Sequence, residues 1–309
     1  MDLSDCDLIK RIPDLSMTPN IKELIHCNCR NLIEIDDSVG RLDKLEVWLM
    51  LDCRKLETLP NCLTMKSLRR FSLHRSGRRI KKFPNILHEM KGVEELTLPD
   101  NCIELPPSFG NLIGLKELTV GSAYHLGEAH LSDSIFLKNV EIDRQPMCNS
   151  LGCSYVFPML KKLSIHCNEI YSDIEFILNC FSPHTLEELE IHKSKVVTLP
   201  ESMSRCERLH TLIIRYCDEL REIPRLPERL HTLIIRDCDE LREILRLPHS
   251  IRRVDVRSSH SLDLQSFFQV YLSLKDIKKL FVLPSQILHD LLRCNLLNLL
   301  IACSCFEKS

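Results

Sequence analysis

Sixteen cysteines in 309 residues are the most conspicuous reactive groups of the chain. Cysteine has three common uses: disulfide staples, metal sites and nucleophiles. The spacing favours none of them. No two cysteines stand three apart, so half of a C-x-x-C zinc site is missing. Cys27/Cys29 and Cys303/Cys305 are C-x-C pairs without a matching second pair. No Asn-x-Ser/Thr triplet occurs among thirteen asparagines. The first residues, Met1-Asp2-Leu3-Ser4-Asp5, lack the basic and apolar regions of a signal peptide. These features predict a reducing compartment, cytoplasmic or nucleocytoplasmic, where structural disulfides are disfavoured.

Other chemistries fare no better. There is no G-x-S-x-G elbow for a serine nucleophile, and His88-Glu89-Met90-Lys91 lacks the second histidine of H-E-x-x-H. No G-x-x-x-x-G-K-[ST] loop occurs, and eight glycines are few for cradling phosphates. The reading is therefore no enzyme, no catalytic residues, no cofactor and no metal. A net charge of −2 gives no global basic field, so nucleic acid is not the expected partner. No run of 18 apolar residues predicts a membrane span.

The cysteines make sense once their surroundings are compared. Cys29 follows Leu24 by five residues, Cys53 follows Trp48 by five, and Cys217 and Cys238 stand in the same relation to Leu212 and Leu233. Ser76, Asn101 and Asn168 occupy the same place elsewhere, and Cys6 opens the series. Ahead of this slot runs L-x-x-L-x-L, as in Leu68-Arg-Arg-Phe71-Ser-Leu73 and Leu115-Lys-Glu-Leu118-Thr-Val120. First positions fall at 21, 45, 68, 93, 115, 137, 160, 186, 209, 230 and 251, in steps of 21 to 26 residues. In L-x-L, alternate side chains share one face of a strand, so both apolar residues face a core. A small side chain at the slot bonds the backbone of the turn that follows. Then comes x-x-L-x-x-[ILF]-P, as in Leu56-Glu-Thr-Leu59-Pro60, where proline ends pairing.

The pattern predicts an α/β leucine-rich-repeat solenoid, with a curved parallel sheet on the concave face and irregular or short helical convex segments. Residues 208–228 and 229–249 match at eighteen of 21 positions, which reads as duplication of one whole coil. Irregularities are His26 at an apolar position, Trp48 at a leucine position and Leu245 at the proline position. Residues 121–135 and 143–157 read as longer connections, which leaves Leu137-Lys-Asn-Val140-Glu-Ile142 the weakest unit.

Residues 1–264 thus form an array of about twelve units. The first unit, Leu3 to Pro13, is incomplete and uncapped, which reads as a piece of a longer protein or a truncated product. Residues 265–309 abandon the repeat. After Pro284-Ser285, Ile287, Leu288, Leu291 and Leu292 stand at helical spacing. A C-terminal capping helix, a surface or partner helix, and a stretch of misread non-coding sequence all fit that tail.

Several tracts carry a family resemblance. Ser4-Asp-Cys6-Asp-Leu8 with Ile12-Pro13-Asp14-Leu15-Ser16, Leu59-Pro60-Asn61-Cys62-Leu63, and Ile103-Glu-Leu105-Pro106-Pro107-Ser108-Phe109-Gly110-Asn111-Leu112 resemble the repeat region of plant intracellular disease-resistance receptors. The subclass resembled carries a TIR domain and a nucleotide-binding domain ahead of the repeats. The resemblance implies a sensor that recognises a pathogen effector or a guarded host protein, and that restrains its own nucleotide-binding domain. Nucleotide binding is not carried over, because the phosphate loop has no counterpart here. The alternatives are the substrate-recognition repeats of a ubiquitin ligase, which keep a steadier period of about 26 residues, or a decoy or regulatory fragment.

Partner contacts are expected on the concave face, at the variable positions around the strand leucines. On the first half of the array these are Arg69, Arg70, His74, Arg75, Glu94, Glu95, Lys116 and Glu117. On the second half they are Glu187, Glu188, His192, Arg215, Arg236 and Arg257. The last three arginines should form a ladder, with Ile213 and Ile234 pointing outward beside it. Two of those arginines are also explicable as copies. Lys66 to Lys91 holds nine basic residues against Glu89 alone, which is either a solvated face or a docking patch for an acidic partner.

Overall fold

The computed structural model describes residues 1–99, 103–121, 157–166, 174, 178, 183–200, 203, 205–257, 259, 261–262 and 280–281. The chain folds as two compact units, Met1–Leu186 and Glu187–Ser309.

The first unit contains β1 (Arg11–Ile12), β2 (Glu23–Cys27), β3 (Glu34–Ile35), β4 (Val47–Leu51), β5 (Cys62–Leu63), β6 (Arg70–Ser72), β7 (Asn85–Ile86), β8 (Glu95–Thr97), β9 (Glu117–Val120) and β10 (Lys162–His166). The L-x-L tracts are the strands β2, β4, β6, β8, β9 and β10, which pair in parallel in that order. Their register is one coil per strand: Leu24, Trp48, Phe71, Leu96, Leu118 and Leu163 stand in a single row. That row is buried, as is the row formed by His26, Met50, Leu73, Leu98, Val120 and Ile165. β9 pairs directly with β10. The weak unit at Leu137 and the slots at Asn101 and Asn168 lie outside the described residues.

Opposite the sheet the chain is more ordered than the prolines suggest. Beside the prolines, two residues pair with the next coil: β1, just before Pro13, with β3, and β5, just after Pro60, with β7, just after Pro84. A proline flanking such a ladder does not prevent it, because the ring lies outside the paired residues. Single 3-10 turns follow at Asp37–Arg41, Pro107–Asn111 and Pro183–Thr185. Asp36 caps the first, its carboxylate accepting from the Ser38 amide at 3.0 Å. Adjacent coils approach so closely that a Cβ on Gly40 would sit 2.2 Å from the Cys62 carbonyl oxygen.

The core of this unit carries an aromatic spine. Trp48 stacks on Phe71 at 4.7 Å, and Phe71 leads to Phe83 at 5.9 Å. Phe83 meets Phe109 edge-on at 5.2 Å, and Phe109 meets Phe157 at 5.8 Å. Such pairs add about 0.5–1.5 kcal/mol each beyond simple burial. Two rings of the spine replace leucines in the repeat, which the L-x-L pattern reads only as apolar.

The second unit contains β11 (Glu188–His192), β12 (Thr211–Arg215), β13 (Glu222–Ile223), β14 (Thr232–Arg236), β15 (Glu243–Ile244), β16 (Arg253–Arg257) and β17 (Leu280–Phe281). β11, β12, β14, β16 and β17 form its parallel sheet in that order, and β13 pairs with β15 behind it. Leu189, Leu212, Leu233 and Val254 form the inward row. β17 falls within the tail and adds Leu280 beside Val254. The helical spacing at 284–292 lies outside the described residues. Among the described residues no helix is long and apolar enough to cross a membrane.

The turn after each strand explains the small slot. Asp5, Asn28, Asp52, Arg75, Lys193, Tyr216 and Asp237 all have φ between 54° and 58°, and each immediately precedes a slot residue. This left-handed residue swings the chain inward and leaves carbonyls of the strand end to be satisfied. Ser76 Oγ donates to Met50 O of the preceding coil at 2.8 Å and accepts from the Cys53 amide at 2.8 Å. Cys53 Sγ donates to His26 O at 3.3 Å, and Cys29 Sγ to Leu3 O at 3.0 Å. Burial pushes the Cys53 thiol up to about 12, so it stays protonated and remains a donor. The eight described cysteines are free thiols.

Candidate interaction surface

The side chains that alternate with the buried rows form the outward face of each sheet. In the first unit, Glu23, Val47, Arg70, Glu95, Glu117 and Lys162 stand in one outward row. Ile25, Leu49, Ser72, Thr97, Thr119 and Ser164 form the next. The residues leading into the strands make a further ladder, because Arg69 donates its amide to Glu46 O, Glu94 to Arg69 O and Lys116 to Glu94 O. Arg69, Arg70, Glu94, Glu95, Lys116 and Glu117 are therefore gathered on three adjacent coils. His74 and Arg75 belong to the same coil as Arg70, at the far end of its strand.

Most of these charges answer one another. Arg70 grips Glu95 with two hydrogen bonds of 2.7 and 3.1 Å, which raise the guanidinium pKa further. Lys116 pairs with Glu94 at 3.0 Å and Lys22 with Glu46 at 3.3 Å. The basic stretch is likewise met by carboxylates of neighbouring coils. Lys66 pairs with Asp43, Arg75 with Asp52, Arg79 with Glu57 and Lys82 with Glu104. Each exposed pair stabilises by no more than about 1 kcal/mol. Together they remove much of the positive field that nine basic residues imply from sequence.

In the second unit the outward rows read Glu188-Thr211-Thr232-Arg253, Glu190-Ile213-Ile234-Asp255 and His192-Arg215-Arg236-Arg257. The arginine ladder thus exists in register. Glu187 and Glu188 stand at the start of β11, and His192 at its end. His192 is buried, with Nε2 3.5 Å from Glu190 Oε2.

Two features of this face differ from the sequence expectation. Ile213 and Ile234 do lie on the outward side, but each is only 8% exposed. The Nε atoms of Arg215 and Arg236 are also buried, without a hydrogen-bond partner. An arginine that lays its stem along apolar surface produces both effects. Arg236 also leaves its own row, reaching Asp255 with Nη2–Oδ2 at 2.7 Å, while Asp255 is 1% exposed. Repeat phase places Asp255, Glu190, Arg252 and Arg253 on this face, so their positions were available from spacing. The reach of Arg236 to Asp255 was not, since it depends on rotamers.

The two slot cysteines here sit close together. The Cys217 thiol, hydrogen-bonded to Cys238, draws Cys238 below the usual thiol range against the opposing effect of burial. Among the described residues no three of His, Cys, Asp and Glu converge as metal ligands.

The leucine-rich repeats of RPS4B-like disease resistance proteins form a family whose model matches residues 65–265. The chain belongs to that family. TMV resistance protein N of Nicotiana glutinosa is 24% identical over 282 residues, covering 74% of this chain and 24% of its own length. Disease resistance protein RPS6 of Arabidopsis thaliana is 28% identical over 225 residues, covering 72% of this chain and 17% of its own length. RPP5 of the same plant reaches 41% over 59 residues, 19% of this chain and 4% of its own length. This resistance-protein repeat chain therefore spans about a quarter, or less, of the length of the relatives it matches. Among solved structures it is similar to the leucine-rich-repeat domain of the type III effector XCV3220 (XopL), with TM-score 0.41, 17% identity, and coverage of 71% of this chain and 77% of that one. It is also similar to the internalin InlF of Listeria monocytogenes, with TM-score 0.35, 12% identity and coverage of 78% and 79%.

Proposed function

We propose that this chain is the protein-recognition part of a plant disease-resistance receptor, acting in the cytoplasm through the outward faces of its sheets. The observation that carries the reading is the contrast between rows. Inward positions repeat leucine-like residues coil after coil, while outward positions change from Ile25 and Leu49 to Arg70, Glu95 and Arg215. A scaffold with a constant core and a variable face suits recognition, and the family to which the repeats belong supports the immune setting. The partner is a pathogen effector, a guarded host protein or a nucleotide-binding domain of the same receptor. Arg69, Arg70, His74, Arg75, Glu94, Glu95, Lys116 and Glu117 contact it on the first unit. Glu187, Glu188, His192, Arg215, Arg236 and Arg257 do so on the second. No catalysis or cofactor enters. A ubiquitin-ligase substrate receptor is less well supported, because the steps vary from 21 to 26 and two-residue ladders occupy the side opposite the sheet.

Proximity labelling in challenged leaf tissue tests this. Wild-type chain is compared with a variant reversed at Arg69, Glu94, Arg215 and Arg253, and with one reversed at Arg11 and Arg221 away from the face. The face variant should lose labelled proteins that the other variant keeps. An unchanged labelled set in the face variant would exclude recognition through these sheets.

A further inference from the structure

The outward face of the second unit carries its charge unevenly. On β12, β14, β16 and the residues leading into them stand Arg215, Arg236, Arg252 and Arg253, against the single carboxylate Asp255. Asp255 is 1% exposed and bonded to Arg236. Arg252 and Arg253 are exposed. Between the arginines, Thr211 and Thr232, and Ile213 and Ile234, repeat in strict register. The result is a cationic patch in which half-buried threonines alternate with isoleucines only 8% exposed.

The spacing of this patch is set by the stacking of coils, about 4.8 Å from strand to strand. On an α-helix, side chains three or four residues apart lie about 5–6 Å apart on one face. On an extended strand, same-face side chains recur about every 6.8 Å, which falls out of step within two coils. A helix lying across the strands therefore keeps its carboxylates opposite successive arginines. Charge alone would also attract single-stranded nucleic acid, but that binding relies on aromatic stacking platforms. β12, β14 and β16 contain no Phe, Tyr or Trp.

We propose that the second unit docks an acidic amphipathic α-helix of its protein partner, with carboxylates toward the arginines and an apolar side chain against the arginine stems that cover Ile213 and Ile234. The inference rests on the reading that the sheet faces recognise protein. It adds the chemistry and secondary structure of the bound segment. The contact is of the helix-in-groove kind, with charge choosing the partner and the aliphatic arginine stems holding it.

The test uses the full chain and a fluorescent synthetic helix, alanine-rich, with Glu at every third or fourth position and Leu beside that stripe. A peptide of the same composition in shuffled order, and an oligothymidylate strand, are the comparators. Fluorescence anisotropy at low and physiological salt reads the affinity, and circular dichroism checks folding. The ordered helix should bind at least about tenfold more tightly than the shuffled peptide. Arg252→Glu with Arg253→Glu should weaken it at least about tenfold, and Arg11→Glu, away from the sheet face, should leave it unchanged. Arg215→Gln, which removes charge while keeping length and polarity, should weaken it by a smaller factor if the double reversal disturbs folding. Equal binding of the shuffled peptide, preference for oligothymidylate, or loss through Arg11→Glu alone would each overturn the proposal. Failure here with face-dependent proximity labelling intact removes only the acidic helix. Loss of both removes recognition by the face itself.

Discussion

In the first unit Arg70 stands beside Glu95 and Lys116 beside Glu94; in the second, Arg215 stands beside Arg236 and His210 beside His231. Both arrangements come from the same strand register, in which each residue meets its counterpart one coil away. Where neighbouring coils differ, opposite charges can face each other and the surface neutralises itself. Where one coil is a copy of the next, every side chain meets its own duplicate, and charge meets like charge. The stacked imidazoles, 5.6 Å apart and 7° from parallel, are such a pair. Partial burial, Arg252 and His210 together hold His231 below the ordinary histidine range. A self-paired face has little charge left to offer, whereas in the copied coils Arg215 faces its duplicate Arg236 and not a carboxylate of the next coil.

The two cores differ as well, and the largest expected effect tests that difference. Phe71→Ala removes the ring linking Trp48 to Phe83 and should cost about 3–5 kcal/mol in urea unfolding. A loss below about 2 kcal/mol would mean the aromatic spine packs no better than ordinary apolar residues.

A second contrast within the core is His26, buried at an apolar position with neither ring nitrogen hydrogen-bonded. Burial lowers its pKa to about 4, against the pull of Asp2 in the opposite direction. The unfolded chain, with histidine at 6.5, then binds a proton that the folded chain refuses. Stability is intact above pH 6.5 and falls as pH drops toward 4, by on the order of 3 kcal/mol in all. His26→Leu should flatten that slope in unfolding curves across this window. A slope unaltered by the substitution would assign the acid sensitivity elsewhere.

The ion pairs sharpen the comparison of faces. Asp255→Ala strands Arg236 beside a buried site and should cost about 2 kcal/mol. Glu95→Ala breaks an exposed pair and should cost less than about 1 kcal/mol. Equal losses would show that burial does not separate the two surfaces.

The smallest effect distinguishes the two copies themselves. Tyr216 and Asp237 occupy the same left-handed turn, with φ of 56° and 55°. Aspartate and asparagine tolerate that conformation better than tyrosine. Tyr216→Asn should raise thermal stability by about 0.5–1 kcal/mol, and Asp237→Asn should change it little. A lower melting temperature for Tyr216→Asn would show that the tyrosine ring contributes packing that outweighs its backbone strain.

Period and phase made most of the fold legible. Leu212 and Leu233 had to face inward, Cys217 and Cys238 had to share a slot, and Arg215 and Arg236 had to be neighbours, because a fixed step carries each residue onto its counterpart. The same logic placed Arg69, Glu94 and Lys116 together. It did not reveal that Phe71 reaches on to Phe83, or that carboxylates from adjacent coils meet the basic stretch. Those contacts join residues more than ten positions apart through side-chain reach, which period does not encode.

By itself, then, the sequence determined the coil, its register and which side of each strand meets solvent, since alternation and a repeated step leave little freedom. Tertiary structure alone decided which outward groups are spent on each other. Arg70 is held by Glu95, Arg236 turns aside to a buried Asp255, and Ile213 lies covered although its position is outward. Long side chains choose among several neighbours, and only packing and local electrostatics fix the choice.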